Sequence, residues 1–331
     1  MSRLISWMGW RAALAGVTIG LAACAGGGPI GEAPAALPLV VAHRGGTGDA
    51  PENTLEAIRE AAANRADAIW LTVQLSRDGI PVLYRPADLS ALTQSSGPVA
   101  RYTAAQLARM NAGWNFRDAS GRYPYRARPA GIPTLRDALR AIAPALPVVL
   151  DMKALPAGPQ AKAVADVLTS EAAWPRVTIY STDAAYQAAF VSYPQARLFE
   201  SRDATRARLV SVLLGGACEG APQAPSAPGA PGAPVWTGFE MHRKLTVTER
   251  FTLGEGVSDV TATLWTPATV ACFRRRANAR ILAIAVNDAD DYRAAACLGI
   301  DAVLADSPRK MAEIKSALKA RPLQCERAAS R

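Results

Sequence analysis

Histidine is nearly missing from this chain of 331 residues, which has only His43 and His242. Any chemistry that moves protons through an imidazole near neutral pH must draw on those two. Aromatic residues are also scarce, and alanine is abundant, which favours many short helices packed on a sheet over a large aromatic core. Cysteine is sparse and spaced like no metal site. Beyond Cys24 there are Cys218, Cys272, Cys297 and Cys325, to be read as structural thiols or as one or two bridges, with three full pairings open. A clustered basic stripe is absent too, which argues against nucleic-acid binding. The formal charge is +9, with Arg3 and Arg11 inside the leader described next. The remaining balance suits contact with anionic surfaces or phosphorylated ligands.

Residues 1–23 followed by Cys24 read "MSRLISWMGWRAALAGVTIGLAAC". Positive residues come first, then an apolar run too short between its flanks to span a bilayer, then small residues, which is the pattern of a secretory signal. The ending "LAAC" resembles the lipobox of bacterial lipoproteins. That resemblance implies cleavage before Cys24, a lipid on its thiol, and a periplasm-facing place in the cell envelope. Ala25 implies the outer membrane by the same resemblance. Residues 24–37 then form a flexible tether. An exported chain permits disulfides.

From residue 38 to about 320 the chain alternates short apolar runs with helical patterns. "LPLVVA", "AIWLTVQL", "IPVLY", "LPVVLDMK", "RVTIYS", "QARLFES", "VWTGFEM", "RILAIAV" and "IDAVLA" are strand candidates. Asn53 with Glu56, Thr103 with Gln106, and Thr134 with Asp137 give helix-start signals. Gly299 stops one late helix and Ser307-Pro308 opens the last. About eight strand–helix units predict an α/β fold, a (β/α)8 TIM barrel, with a doubly wound open sheet as the alternative. Two segments interrupt the pattern: a long insertion at 86–131, after the second strand, and the Pro/Ala/Gly-rich loop 219–234. Residues 321–331 are a C-terminal tail. In a barrel the strand C-termini face the active-site mouth. His43, Arg44, Arg85, Asp151, Lys153, Ser181, Glu200, Glu240 and His242 all lie at or near such ends.

"HRG" at 43–45, "PENT" at 51–54, "VQLSRDGIPVLY", "IPTL" at 132–135 and "VNDADDYRAAACLGIDAVLADSP" occur in that order. Together they resemble the glycerophosphodiester phosphodiesterase family, over roughly residues 38–312 and most weakly from about 200 to 280. The resemblance implies a TIM barrel that hydrolyses glycerophosphodiesters in lipid metabolism. It implies two histidines as acid and base, and a divalent cation, Mg²⁺ or Ca²⁺, held by carboxylates. A diester's negative charge repels a nucleophile, so cations must neutralise it while a proton reaches the leaving alkoxide. By resemblance His43 takes an acid–base role and Arg44 grips phosphate oxygens. A packing role for His43, and a pairing of Arg44 with Glu52 or Asp151, are the structural alternatives.

The departures from the family pattern carry equal weight. Where the family has Glu-x-Asp before "VQL", this chain has Trp70 and Thr72. Arg85 and Pro86 stand where the family has His-Asp. Asp151-Met152-Lys153 stands for Glu-x-Lys. Hard divalent ions want several oxygen ligands, so only weak residual metal binding is expected, at Asp151, and no cofactor is expected for this chain. His43, Arg44, Arg85 and Lys153 against Glu52 and Asp151 make a pocket suited to an anion, with Arg44, Glu52, Arg85 and Lys153 as ligand-binding candidates. His242, beside Glu240, is the one residue available to replace the lost second histidine, with a surface or packing role as the alternative. The expected protein is a lipid-anchored family member, catalytically impaired, that holds a glycerophosphodiester or another phosphorylated or anionic ligand. A working phosphodiesterase with a rearranged site and an envelope scaffold are the alternatives. The sequence names no protein partner.

Overall fold

The structure, a computed structural model, describes residues 36–218, 233–320 and 323–325. The signal segment, Cys24, nearly all of the tether and of the Pro/Ala loop, and most of the C-terminal tail lie outside the described residues.

Runs of Val, Ile, Leu and Ala too short for a helix form the strands, and all but two strands of the central sheet feed forward into a helix. The order begins β1 (Leu39–His43), α1 (Leu55–Ala63), β2 (Ala68–Leu75), β3 (Pro81–Leu83), α2 (Ala104–Leu107) and α3 (Leu135–Ala141). It continues through β4 (Val148–Met152), α4 (Ala157–Ser170), β5 (Val177–Tyr180), α5 (Ala185–Ala189) and α6 (Arg202–Gly215). After β6 (Val235–Glu240) come β7 (His242–Phe251), β8 (Gly254–Thr263), α7 (Pro267–Arg274), β9 (Ala279–Ile284), α8 (Ala289–Cys297), β10 (Ala302–Ala305) and α9 (Pro308–Lys319).

Seven strands pair in parallel in the order β5, β4, β2, β1, β10, β9, β6. Residues 197–200 take the eighth place. The Ile179 N–H donates to the Arg197 carbonyl at 2.7 Å, the Phe199 N–H donates to Ile179 at 2.9 Å, and the Glu200 N–H donates to the Trp236 carbonyl at 2.8 Å. The sheet thus closes into the (β/α)8 barrel. "QARLFES" is a strand only in this reduced sense, with a single ladder bridge at Leu198. Short β3 runs antiparallel on β2 as a spur.

Alternation sorts the strand residues. Val41, Ala68, Trp70, Val149, Tyr180, Phe199, Leu282, Ala302 and Leu304 fill the barrel. Ala42, Ile69, Leu71, Val73 and Leu150 face the helices on one side, and Ile281, Ala283 and Val303 face those on the other. The insertion has a small core of its own, built on Tyr84, Leu89, Val99, Leu107 and Ile132. Its aromatics pack on one another: Phe116 meets Tyr125 edge to face at 5.5 Å, and the Arg126 guanidinium lies over Trp114 and Tyr123.

The helix starts at Thr103 and Thr134 are capping boxes, as their spacing predicts. Helix α1 is capped by Thr54, not Asn53. Asn53 sits at φ +58° and its side-chain oxygen accepts from the Thr72 N–H at 2.8 Å, which ties the "PENT" loop to β2. The pair β7–β8 is a two-stranded antiparallel ribbon that the reading of the sequence did not anticipate. Two disulfides form, Cys218–Cys272 and Cys297–Cys325.

Candidate active site

Strand β1 delivers His43 to the barrel mouth, and the chain then turns sharply. Arg44 lies at φ +51°, Gly45 at +83° and Gly46 at +101°. At Gly46 a Cβ would come within 2.9 Å of the Pro308 ring, so both the backbone angle and the close approach of α9 demand glycine there. The His43 Nδ1 is 2.6 Å from the Asp306 Oδ1. Asn287 steadies the same carboxylate: its side-chain NH₂ donates to Asp306 Oδ2 at 2.9 Å, and its side-chain oxygen accepts the Asp306 N–H at 2.8 Å. The hydrogen bond to His43 holds the Asp306 carboxyl below the usual carboxylate range. Asp306 and Asn287 were named by no reading of the sequence, although both follow strand ends in the closing motif.

Arg44 turns back on its own loop and pairs with Glu52 at 2.5 Å, one of the two structural alternatives open for it. The other Glu52 oxygen is buried without a partner among the described residues. In the strand register His43 lies level with Trp70, and Thr72 lies level with Asp151. Trp70 is 3% exposed and its ring lies 4.7 Å from Tyr180 and 6.0 Å from Phe199. Where the family resemblance implies the first carboxylate there is a packed indole, and where it implies the second there is a buried hydroxyl.

Asp151 faces the Lys153 ammonium at 3.1 Å. Burial pushes its carboxyl up, against the opposing pull of Lys153. Lys153 also reaches the Thr182 hydroxyl at 3.3 Å. Arg85 is exposed and forms no hydrogen bond or ion pair among the described residues. Lys153 and Arg85 line one cavity of about 490 Å³ together with Gln74, Pro98 and Leu155, between the mouth and the insertion.

His242 is spent elsewhere. Its Nε2 is 2.9 Å from Asp291 and its Nδ1 is 3.1 Å from the Thr263 hydroxyl, so it clamps the root of the ribbon to the start of α8. It shares no partner with His43. Glu240 instead pairs with Arg202, which also donates to the Tyr180 hydroxyl at 3.0 Å. Glu200 is buried under α6, paired with Arg208 and accepting from the Thr205 and Thr237 hydroxyls. Ser181 donates to the Met152 carbonyl.

These residues do not fit the divalent cation that the family uses. Among the described residues no group of three or more His, Cys, Asp or Glu is placed to hold a metal. Of the carboxylates at the mouth, Glu52 and Asp151 are each faced by a cation of the protein, and Asp306 is held by His43 and Asn287.

Residues 43–310 match the glycerophosphoryl diester phosphodiesterase family. The uncharacterized protein Rv2277c of Mycobacterium tuberculosis is 47% identical over 272 residues, which cover 82% of this chain and 87% of that one. The crystal structure of that protein's glycerophosphoryl diester phosphodiesterase domain superposes with a TM-score of 0.75 at 46% identity, over 85% of this chain and all of that one. Rat glycerophosphodiester phosphodiesterase 1 is 40% identical over 99 residues, 30% of this chain and 28% of its own. An Oleispira antarctica phosphodiesterase, solved with the product sn-glycerol-3-phosphate, shares the fold at 22% identity and a TM-score of 0.60, over 86% of this chain and 97% of that one.

Proposed function

The chain belongs to the glycerophosphoryl diester phosphodiesterase family, and we propose that within it this barrel holds a phosphorylated small molecule as an anion, without a divalent cation and with diester hydrolysis impaired. The observation that carries this reading is the placing of Arg85 and Lys153 on one cavity at the mouth. A guanidinium without a partner among the described residues, lining the same cavity as the ammonium that faces Asp151, suits phosphate oxygens, which the guanidinium grips through paired hydrogen bonds. Trp70 and Thr72 supply none of the charge that a cation needs. The same reading keeps the chain at the bacterial envelope, lipid-anchored through Cys24 and facing the periplasm from the outer membrane.

The test is paired. Calorimetry on the purified chain is expected to show metal-free binding of inorganic phosphate or glycerol 3-phosphate, and no saturable micromolar site for Mg²⁺ or Ca²⁺. Removing a charged hydrogen-bond partner costs on the order of 1.5–3 kcal/mol, about 10- to 150-fold in affinity. Arg85→Ala should lose that much. Arg44→Ala and Lys153→Ala should lose less, because Arg44 is held by Glu52 and Lys153 by Asp151. Cation-dependent turnover of glycerophosphocholine that vanishes in Asp151→Ala would overturn the reading.

A second reading rests on the His43–Asp306–Asn287 chain. With Nδ1 held against a carboxylate, the other ring nitrogen of His43 is left to take or give a proton at the mouth, as a one-histidine phosphodiesterase would need. It requires metal-free turnover that His43→Ala abolishes.

A further inference from the structure

The ribbon β7–β8 has two unlike faces. Its register pairs Leu245 with Val260, Val247 with Ser258 and Phe251 with Gly254, whereas Lys244 meets Thr261, Thr246 meets Asp259 and Arg250 meets Glu255. Alternation puts Leu245, Val247, Phe251, Val260 and Ala262 on one side, together with Arg243, Glu249 and Ser258. His242, Lys244, Thr246, Thr248, Arg250, Glu255, Val257, Asp259, Thr261 and Thr263 share the other. The polar side satisfies itself, with the Thr246 hydroxyl donating to Asp259 at 2.8 Å and Arg250 reaching Glu255 at 3.2 Å. The apolar side is left to solvent. Its exposure rises along the ribbon, from 41–42% at Leu245, Val247 and Val260 to 62% at Phe251 and 99% at Leu253 in the turn.

We infer that this ribbon is a membrane-docking element that inserts its turn end, Phe251 and Leu253, into the interface of a lipid bilayer. Of the segments outside the described residues, 219–232, 321–322 and 326–331 contain no large apolar side chain and 24–35 contain one, Ile30; residues 1–23 leave with the signal peptide on the reading above. A second copy is a poor occupant. One face of a two-stranded ribbon ten residues long is about 33 Å by 10 Å, roughly 330 Å², whereas a stable interface buries about 800 Å² per partner. A lipid surface needs no such area, since affinity there scales with the apolar surface immersed. The exposure is greatest at the end of the ribbon, which fits entry tip first rather than packing face to face. Arg243, Lys244 and Arg250 are matched in number by Glu249, Glu255 and Asp259, so docking should be insensitive to salt and to lipid charge. The ribbon leaves the barrel directly after β6, at the rim that carries His43, and His242 fixes its root. Docking therefore brings the mouth alongside the bilayer. The inference does not depend on what the mouth binds or whether it turns over.

The test places a nitroxide on Leu253→Cys or on Thr248→Cys in the full chain, with the unsubstituted parent run in parallel to report any labelling at Cys24. Power saturation against oxygen and a water-soluble nickel chelate is read with and without vesicles, either of phosphatidylcholine or of phosphatidylethanolamine and phosphatidylglycerol. On both vesicle types the oxygen-to-nickel accessibility ratio at position 253 should rise at least threefold, while position 248 stays wet. Position 253 remaining as wet as 248 on vesicles would overturn the inference. So would a position 253 already sheltered without vesicles in a chain of doubled hydrodynamic mass.

Discussion

The Asp306 carboxylate and the His43 ring hold each other across 263 positions of sequence. Because the contact lowers the carboxyl below its unfolded value of 3.8, its stabilisation is fully present above that value and is lost as pH falls through the depressed folded value. Both groups are partly exposed, with side-chain exposures of 25% and 44%, so Asp306→Asn should cost only roughly 1 kcal/mol at pH 6–7. Thermal melts of parent and variant should differ at pH 6 and draw closer as pH falls below 3.8. A gap of undiminished size at pH 3 would show that Asp306 acts through packing instead. The sequence singles out His43, since a histidine where an apolar run meets a glycine turn is rare in a chain so poor in them. It does not reveal which carboxylate lies opposite, because spacing along the chain says nothing about distance around a barrel. The same limit applies to Arg44, whose pairing with Glu52 the sequence leaves open beside phosphate binding. It applies to His242 as well: proximity to Glu240 in sequence did not bring the two into one hydrogen-bond network.

Helices and strands were more legible than side-chain partners. Most strands are unbroken apolar runs bounded by turn residues, and two of the three helix starts follow their Ser/Thr-x-x-acid or amide spacing. Asn53 misled because its side chain serves β2, leaving Thr54 to cap α1. The ribbon was missed although "LTVT" and "VSDVTAT" alternate in the manner of strands, because a pair with no buried face lacks the apolar run that marks a core strand. The disulfides add a constraint that spacing alone left open. Cys218–Cys272 ties the end of α6 to α7 across 54 residues, and Cys297–Cys325 ties α8 to the tail across 28. By the loop-entropy relation they are worth at most about 4 and 3.5 kcal/mol. Chemical denaturation of oxidised protein and of a Cys218→Ser/Cys272→Ser variant should differ by roughly 2–4 kcal/mol. A difference under about 0.5 kcal/mol would mean that the bridge constrains nothing the core has not already fixed.

For the molecule as a whole, the alternation of strands and helices carries the barrel, and the closing segment 197–200 explains why one strand reads so weakly: it contributes ladder hydrogen bonds at its edges rather than a full run. The proposed attachment to the membrane concerns the whole chain too. Labelled fatty acid should enter the parent and not Cys24→Ser, and equal incorporation in both would remove the lipid anchor from the proposal. Trp70 has a consequence in time rather than in space. Exchanging it for a carboxylate would strip an indole from between Tyr180 and Phe199, at a cost of about 3–5 kcal/mol before the buried charge is counted. Folded proteins have on the order of 5–15 kcal/mol to lose. A lineage returning to the family's carboxylates would need a second one at Thr72 and relief of the Lys153 pairing before any cation could repay the first step. On the proposed reading, the first step of that path lowers stability before any cation-dependent activity could return. The indole therefore acts as an evolutionary ratchet: descendants of this sequence are freer to change what the barrel binds than to recover the metal site implied by their family.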